Sequence, residues 1–270
     1  MPLIEKDADF EGMRVHYWEG GTGSPLLLIH GSGPGASTLG NWRLVLEPLA
    51  ERYHVIAADL VGFGLSDRKP SPPYFDYDLW CRQAHFLVGL FGSDQVGILG
   101  HSLSGAIALR QASRDRRVAR VMTTGSMGAR MTPNDDTVRV WTFPADRDAL
   151  RRTAECLVYD KSVITDEYLD NRMKVLSAND YEGYFGSMFS GPRQQYVDAA
   201  VLTDAELADI RCPVLLVHGR NDEPFPFEEN SLVLAKKLPH ADLIALGNCS
   251  HSPALEHPHK LLAAARAFFG

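Results

Sequence analysis

The stretch QVGILGHSLSG (Gln95–Gly105) decides the fold class of this 270-residue chain. It contains a continuous apolar run, Val96–Leu99, then a turn rich in small residues, and it leads into a helical pattern over Ala106–Ser113. Short runs of Val, Ile and Leu bounded by glycine are typical of strands buried on both faces of a parallel sheet. The stretch therefore predicts a strand, a sharp turn and a helix.

The turn places Ser102 where a nucleophile can be presented. A turn this sharp needs small residues two positions before and after the serine, and Gly100 and Ser104 meet that need. The pattern is G-x-S-x-G with serine in place of the last glycine. We therefore predict Ser102 as the nucleophile, with the backbone N–H of Leu103 donating to a developing oxyanion.

Similar apolar runs recur along the chain and alternate with helical patterns. The predicted strands are Arg14–Trp18, Leu26–Ile29, Val55–Leu60, Val118–Met122, Val214–Val217 and Leu243–Leu246, and the predicted helices are Trp80–Phe91, Ala106–Ser113, Glu228–Leu238 and Pro258–Phe269. Strands that alternate with helices indicate an α/β fold with a mostly parallel, doubly wound sheet.

One long segment interrupts this alternation. Between Val118–Met122 and Val214–Val217 the sequence is helical and aromatic, with helix-start signals at Asp146 and Thr165. We predict a helical lid over residues 127–209, inserted into a core formed by residues 1–126 and 210–270. Ligands bind at the carboxyl edge of open α/β sheets, which such a lid would cover.

A serine nucleophile needs a base and an acid that orients the base. In this fold class they follow the serine in the order acid, then histidine. Asp222 lies in the loop after Val214–Val217 and is the predicted acid, with its neighbour Glu223 as the alternative. His251 lies in the loop after the last strand and is the predicted base.

The loop after the first buried strand, HGSGPGAS (His30–Ser37), is rich in glycine, so its backbone can approach a ligand. It is expected to supply the second oxyanion donor, the N–H of Ser32 or else that of Gly33. It lacks the G-x-G-x-x-G pattern of a dinucleotide site, and we expect no cofactor.

Composition excludes several functional classes. A net charge of −7 argues against a polyanion binder, so no nucleic-acid partner is expected. No apolar run is long enough to cross a membrane, and the N-terminus does not look like a secretory signal. The four cysteines are scattered and form no C-x-x-C pair, and the histidine spacing gives no metal motif. We expect a cytoplasmic protein with reduced thiols, no metal and a small-molecule substrate.

With these residues placed, the chain resembles an α/β-hydrolase, and within that superfamily the meta-cleavage product hydrolases, which split carbon–carbon bonds during aromatic degradation. The resemblance covers most of the chain. It is carried by His30–Ser37, by VIAADLVGFGLSDRKP (Val55–Pro70), and in the lid by YDKSVITDEYLDNR (Tyr159–Arg172) and MFSGPRQQYVDA (Met188–Ala199). The last match resembles the branch that acts on monocyclic products such as 2-hydroxymuconic semialdehyde.

The resemblance implies cleavage of the C5–C6 bond of a 2-hydroxy-6-oxo-hexa-2,4-dienoate by Ser102, Asp222 and His251. Arg172 matches the lid arginine that holds the dienoate end of the substrate, and Asn41 matches a polar pocket asparagine near that end. The fork of N–H donors on a guanidinium suits a carboxylate. The resemblance also implies a homodimer.

Two positions depart from the family pattern. His101 stands where the family has asparagine, and Ser252 stands where it has tryptophan. Both are expected to line the substrate pocket, and His101, with an ordinary pKa of ~6.5, is expected to add a pH dependence there. The departures leave two alternatives open: a carboxylesterase or lactonase with the same three residues, and a non-catalytic small-molecule receptor on a hydrolase scaffold.

Overall fold

The computed structural model describes residues 2–177 and 180–270, so Met1 and residues 178 and 179 of the predicted core and lid ranges lie outside the described part. Its sheet has eight strands: β1 (Ile4–Phe10), β2 (Met13–Gly20), β3 (Ser24–Ile29), β4 (Tyr53–Ala58), β5 (Val96–His101), β6 (Val118–Thr124), β7 (Val214–Gly219) and β8 (Ala241–Leu246). The spatial order is β1-β2-β4-β3-β5-β6-β7-β8.

The sheet is mostly parallel. Strands β3 to β8 pair in parallel, whereas β2 pairs antiparallel with both β1 and β4. Side chains on the two faces of β3 enter different cores: Leu27 and Ile29 join one, Leu26 and Leu28 the other. This two-sided burial explains the continuous apolar runs, and the predicted fold class is confirmed.

Strand β1 was missed from sequence. Its sequence, IEKDADF, is acidic and lies mostly exposed at the sheet edge, so it carries no apolar pattern. It forms because all seven of its residues pair with β2.

Thirteen α-helices connect and flank the strands. In chain order they are α1 (Thr38–Trp42), α2 (Leu46–Ala50), α3 (Tyr77–Leu90), α4 (Leu103–Arg114), α5 (Asp135–Val140), α6 (Arg147–Glu155), α7 (Asp166–Leu176), α8 (Tyr181–Met188), α9 (Arg193–Ala200), α10 (Asp204–Asp209), α11 (Ser231–Lys237), α12 (Pro253–Glu256) and α13 (Pro258–Phe269), all within the described residues. None of these helices has the length and apolar character needed to cross a lipid bilayer.

Helices α5 to α10 all lie between β6 and β7, in the segment where the alternation of the sequence breaks. Two of their starts follow the predicted signals: the side chain of Asp146 accepts from the N–H of Ala149, and that of Thr165 accepts from the N–H of Tyr168. A side-chain oxygen at this position satisfies one of the free N–H groups of the first turn. We call this segment the inserted helices.

Candidate active site

Ser102 lies between β5 and α4 with a positive φ of 58° and a ψ of −122°. Non-glycine residues rarely adopt a positive φ, and such strain persists only where the surroundings enforce it. A Cβ added at Gly100 would lie 2.3 Å from the backbone oxygen of Ser104. The turn therefore requires glycine at position 100, where the sequence pattern predicts a small residue.

Ser104, in place of the expected glycine, has its own partner. Its buried hydroxyl donates to the backbone oxygen of His30 at 2.5 Å. This bond joins the first turn of α4 to the end of β3. The serine is accommodated because its hydroxyl is satisfied, which removes the usual penalty for a buried polar group.

We expect Gly100→Ala to destabilise the protein by about 1–3 kcal/mol, since the new methyl group meets backbone that cannot move aside cheaply. Urea unfolding followed by fluorescence measures this loss. Gly186→Ala in α8 is the matched control, because a Cβ there meets nothing within 4 Å. Equal stabilities for the two variants would contradict the steric explanation of the turn.

His251 and Asp222 form a buried pair at the ends of β8 and β7. His251 Nδ1 lies 2.7 Å from Asp222 Oδ2. A carboxylate only accepts hydrogen bonds, so Nδ1 carries the proton and Nε2 of the neutral ring keeps its lone pair. His251 is 3% exposed and Asp222 4% exposed, so this contact is shielded from water.

Asp222 stays ionised although it is buried. Burial by itself would raise the pKa of its carboxyl group, but the electrostatic interaction with His251 and the hydrogen bonds from His218 and His251 outweigh burial and lower that pKa below its usual range. The backbone N–H of Phe225 donates to its other oxygen at 3.0 Å. The alternative acid, Glu223, is exposed, and its backbone oxygen binds the side chain of Asn134.

Sequence reasoning missed the role of His218. Its Nε2 lies 3.0 Å from Asp222 Oδ2 and 2.9 Å from the backbone oxygen of Phe225, both acceptors, so Nε2 carries the proton. Its Nδ1 accepts from the hydroxyl of Ser231 at 2.7 Å. His218 thus adds a second imidazole N–H to the carboxylate. The sequence signal that could have indicated this role is the position of His218 directly after the apolar run Val214–Val217 of β7.

One pocket gathers most of the predicted site residues. Ser102 and His251 share it with the glycine-rich loop and with side chains from α1, α7 and the loop before α12; the predicted members are Ser32, Gly33, Asn41, His101, Ser102, Arg172, His251 and Ser252. Asp222 lies behind His251, and Leu103 is the first residue of α4. The inserted helices contribute Arg172 and Tyr168, and Trp141 at the end of α5 completes that wall.

Arg172 projects from α7 toward the glycine-rich loop. Its Nη1 donates to the backbone oxygen of Pro34 at 2.7 Å, and its guanidinium lies 5.3 Å from the centre of the Tyr168 ring. Its Nε is buried and has no hydrogen-bond partner among the residues that the structure describes. An unsatisfied charged donor at a pocket wall is suited to bind an anionic group.

The glycine-rich loop also contacts the inserted helices through Trp141. The indole Nε1 donates to the side-chain oxygen of Ser32 at 3.1 Å. Trp141 itself stacks on Phe189 with ring centres 5.6 Å apart. The Ser32 hydroxyl is therefore engaged by the inserted helices, and the proposed oxyanion role rests on its backbone N–H.

His101 is in the pocket but does not have an ordinary pKa. It is 6% exposed, and burial together with the electrostatic interaction with His251 lowers its pKa well below the usual value. The expectation that it titrates near pH 6.5 is therefore wrong, because a buried imidazole loses the hydration that its charged form needs. His101 is neutral at neutral pH.

Metal ligands do not cluster in the described ranges, where no group of three His, Cys, Asp or Glu side chains is placed to hold an ion. The chemistry that this geometry can perform is nucleophilic. A serine at a strained turn shares a pocket with an imidazole whose free Nε2 faces away from an ionised carboxylate.

Comparison with known proteins agrees with this geometry. Residues 24–258 match the alpha/beta hydrolase fold family. The chain is 33% identical over 257 residues to the 2-hydroxymuconate semialdehyde hydrolase of Pseudomonas sp. (strain CF600), covering 95% of this chain and 90% of that protein. It is 33% identical over 246 residues to a 2-hydroxy-6-oxo-2,4-heptadienoate hydrolase of Pseudomonas putida, covering 91% and 88%.

A solved structure is similar as well. The meta-cleavage product hydrolase CumD of Pseudomonas fluorescens IP01 superposes with a TM-score of 0.92 at 30% identity, covering 98% of this chain and 97% of that one. The resemblance to the meta-cleavage product hydrolases is thus confirmed. On its fold, its sequence and its structural likeness, the chain belongs to the α/β-hydrolase family.

Proposed function

We propose that this protein hydrolyses the C5–C6 bond of a 2-hydroxy-6-oxo-hexa-2,4-dienoate. The observation that carries the proposal is the presence, in one pocket, of Ser102 and His251 together with Arg172, whose Nε has no hydrogen-bond partner among the described residues. The names of the two relatives above support a substrate with a small group at C6, such as hydrogen or methyl. The residues 127–209 would act as the lid over this pocket.

The dienoate end of the substrate would be bound by two polar side chains of the pocket. Arg172 and Asn41 would hold the carboxylate and the 2-oxo group that forms when the dienol becomes a ketone. A fixed cation stabilises the negative charge on this end while the double bonds shift. Ser252, beside His251 in the pocket, would leave free space where related enzymes carry an indole.

The reaction itself would use Ser102, His251 and Asp222. His251 Nε2 takes the proton of the Ser102 hydroxyl, and Ser102 attacks the C6 carbonyl. The oxyanion accepts hydrogen bonds from the N–H of Leu103 and that of Ser32, with Gly33 as the alternative second donor. The C5–C6 bond breaks as the leaving group takes its electron pair into the 2-oxo acid and receives the proton held by His251. Water, activated by the same histidine, then releases the acyl group from Ser102. The products are 2-hydroxypenta-2,4-dienoate and a carboxylic acid.

No step of this reaction calls for a cofactor. The resemblance supports a homodimer that acts on its small-molecule substrate in the cytoplasm. Light scattering on the purified protein measures the first property, and fractionation of the native cells measures the second.

The test is turnover of a dienol substrate, followed as loss of its visible absorbance, beside hydrolysis of a p-nitrophenyl ester. Cleavage of the dienol with formation of both products supports the carbon–carbon hydrolase. Ester hydrolysis without dienol cleavage would favour the esterase or lactonase alternative. Failure of Ser102 to react with a fluorophosphonate would favour the receptor alternative.

Arg172→Ala should separate these substrates. Loss of one charge-assisted contact costs about 1.5–3 kcal/mol, or roughly ten- to a hundredfold in kcat/KM on the dienol. A p-nitrophenyl ester has no carboxylate for Arg172, so its hydrolysis should change little. Arg151→Ala is a control on the neighbouring helix α6, since Arg151 pairs with the exposed Asp166. Equal losses on both substrates would mean that Arg172 is structural.

A further inference from the structure

The inference concerns His101, the last residue of β5. Its ring lies between Trp42 and the ring of His251, with centre-to-centre distances of 6.2 Å and 4.7 Å. Strand pairing places it opposite Thr124 of β6. His101 Nδ1 is 3.0 Å from the backbone oxygen of Thr124 and 3.0 Å from its side-chain oxygen.

These contacts decide which ring nitrogen carries the proton. A carbonyl oxygen only accepts, so His101 Nδ1 must be the donor. In the neutral ring Nε2 then has a lone pair and no hydrogen. Among the described residues, no protein group donates to this nitrogen.

The edge of the ring that carries Cδ2 and Nε2 lies beside Gly31. A Cβ built on Gly31 would lie 3.0 Å from Cδ2 of His101, 3.6 Å from its Nε2 and 3.1 Å from Cβ of Ser102. Gly31, His101 and Ser102 all line the same pocket. The absence of a side chain at Gly31 leaves this edge open beside the nucleophile.

The lone pair on Nε2 of His101 favours a ligand that places a hydrogen-bond donor beside it. The carboxylate and the conjugated carbonyl of the proposed substrate only accept hydrogen bonds, whereas its enol hydroxyl donates. Building on the proposed function, we propose that Nε2 of His101 accepts a hydrogen bond from the 2-hydroxyl group and so selects the un-ionised 2-hydroxydienoate as the ligand. An asparagine could turn either its oxygen or its NH2 group to this point. The imidazole, fixed by Thr124, offers only an acceptor.

Two consequences follow for substrate choice. A ligand in which the 2-hydroxyl is absent or methylated leaves Nε2 of His101 unsatisfied, which weakens binding. A ligand ionised at the 2-position brings a second acceptor toward the lone pair, which also weakens binding. The departure from asparagine is thus a specificity determinant for the protonation state of the substrate.

The experiment measures binding to Ser102→Ala protein, so that no turnover interferes. The ligands are the dienol and its 2-deoxy analogue. We expect the dienol to bind about tenfold more tightly, since loss of a buried hydrogen bond costs about that much. His101→Phe should abolish this preference while binding the 2-deoxy analogue as before, which also shows that the site is folded. Thr124→Val should keep the preference, because the backbone oxygen that fixes the tautomer remains.

A second measurement needs no change at His101. The affinity of the Ser102→Ala protein for the dienol should fall as pH rises and the free dienol ionises, which its own absorbance reports. Tighter binding with rising pH would overturn the proposal, since a donor rather than an acceptor would then face the 2-position. An equal preference in His101→Phe protein would overturn it as well.

Failure here is distinguishable from failure of the proposed function. If the unmodified enzyme cleaves the dienol but the Ser102→Ala protein shows no preference, the role of His101 is wrong and the carbon–carbon hydrolase stands. If the Ser102→Ala protein binds neither ligand and the unmodified enzyme leaves the dienol intact, both proposals fall.

Discussion

Replacing Ser102 with alanine should lower kcat by about 10⁴–10⁶-fold, because loss of a triad nucleophile removes a group that acts as a unit with its base. The fold should survive, since the change deletes one oxygen and leaves Gly100 and the turn in place. Steady-state turnover of the dienol and thermal unfolding measure the two effects together.

Ser113→Ala is the matched control for this variant. Ser113 belongs to α4, the helix that directly follows Ser102, and its hydroxyl donates to the backbone oxygen of Arg110 within that helix. Fluorophosphonate should label the control and not Ser102→Ala protein. A turnover rate of the Ser102→Ala protein near that of the unmodified enzyme would contradict the assignment of Ser102 as the nucleophile.

Asp222→Asn should lower kcat by ~10⁴, by analogy with other triads in which this change misorients the histidine. In the native site, ring nitrogens of His251 and His218 donate to the carboxylate of Asp222. The amide of the variant would present its NH2 group, a donor, to these two donors. The His251 ring would then lose the tautomer that leaves Nε2 free. The measurement is kcat on the dienol, with Glu223→Gln as the control because Glu223 is exposed.

The same variant tests the electrostatics of the site. The native pKa of Asp222 is lowered, so its ionised form stabilises the fold above the unfolded-state pKa of about 3.9, and this contribution is lost as pH falls toward the native pKa. The difference in unfolding free energy between the unmodified protein and Asp222→Asn should therefore shrink below about pH 4. A difference that grows on acidification would contradict the lowered pKa.

The positions of the chemical groups were predictable because each follows a strand of the parallel part of the sheet. Ser102, Asp222 and His251 come after apolar runs, and parallel strands bring their carboxyl ends to one edge. The geometry places Ser102 and His251 in one pocket, with Asp222 behind it in contact with His251, while their catalytic roles stay predictions. The helix start at Thr165 was also predictable from sequence. The side chain of a capping threonine accepts a hydrogen bond from an N–H group only three residues further along the chain.

The properties of the site that could not be predicted from sequence depend on contacts between segments that are distant along the chain. The tautomer of His101 is set by Thr124, and this requires the register of β5 against β6. The contact of His218 with Asp222 requires the path of the loop after β7. The pKa of His101 follows from burial, which no local pattern reports. Each of these is a property of packing rather than of spacing.

The loop after β3 is held from two sides. From the sheet side, Ser104 binds the backbone oxygen of His30, and from the inserted helices Trp141 binds Ser32 and Arg172 binds Pro34. The first bond lies within the core, so it would persist if the other two broke to admit a substrate. The oxyanion donors would then keep their direction throughout the opening and closing cycle. Such preorganisation spares the enzyme the reorientation of dipoles that water would have to make at every turnover.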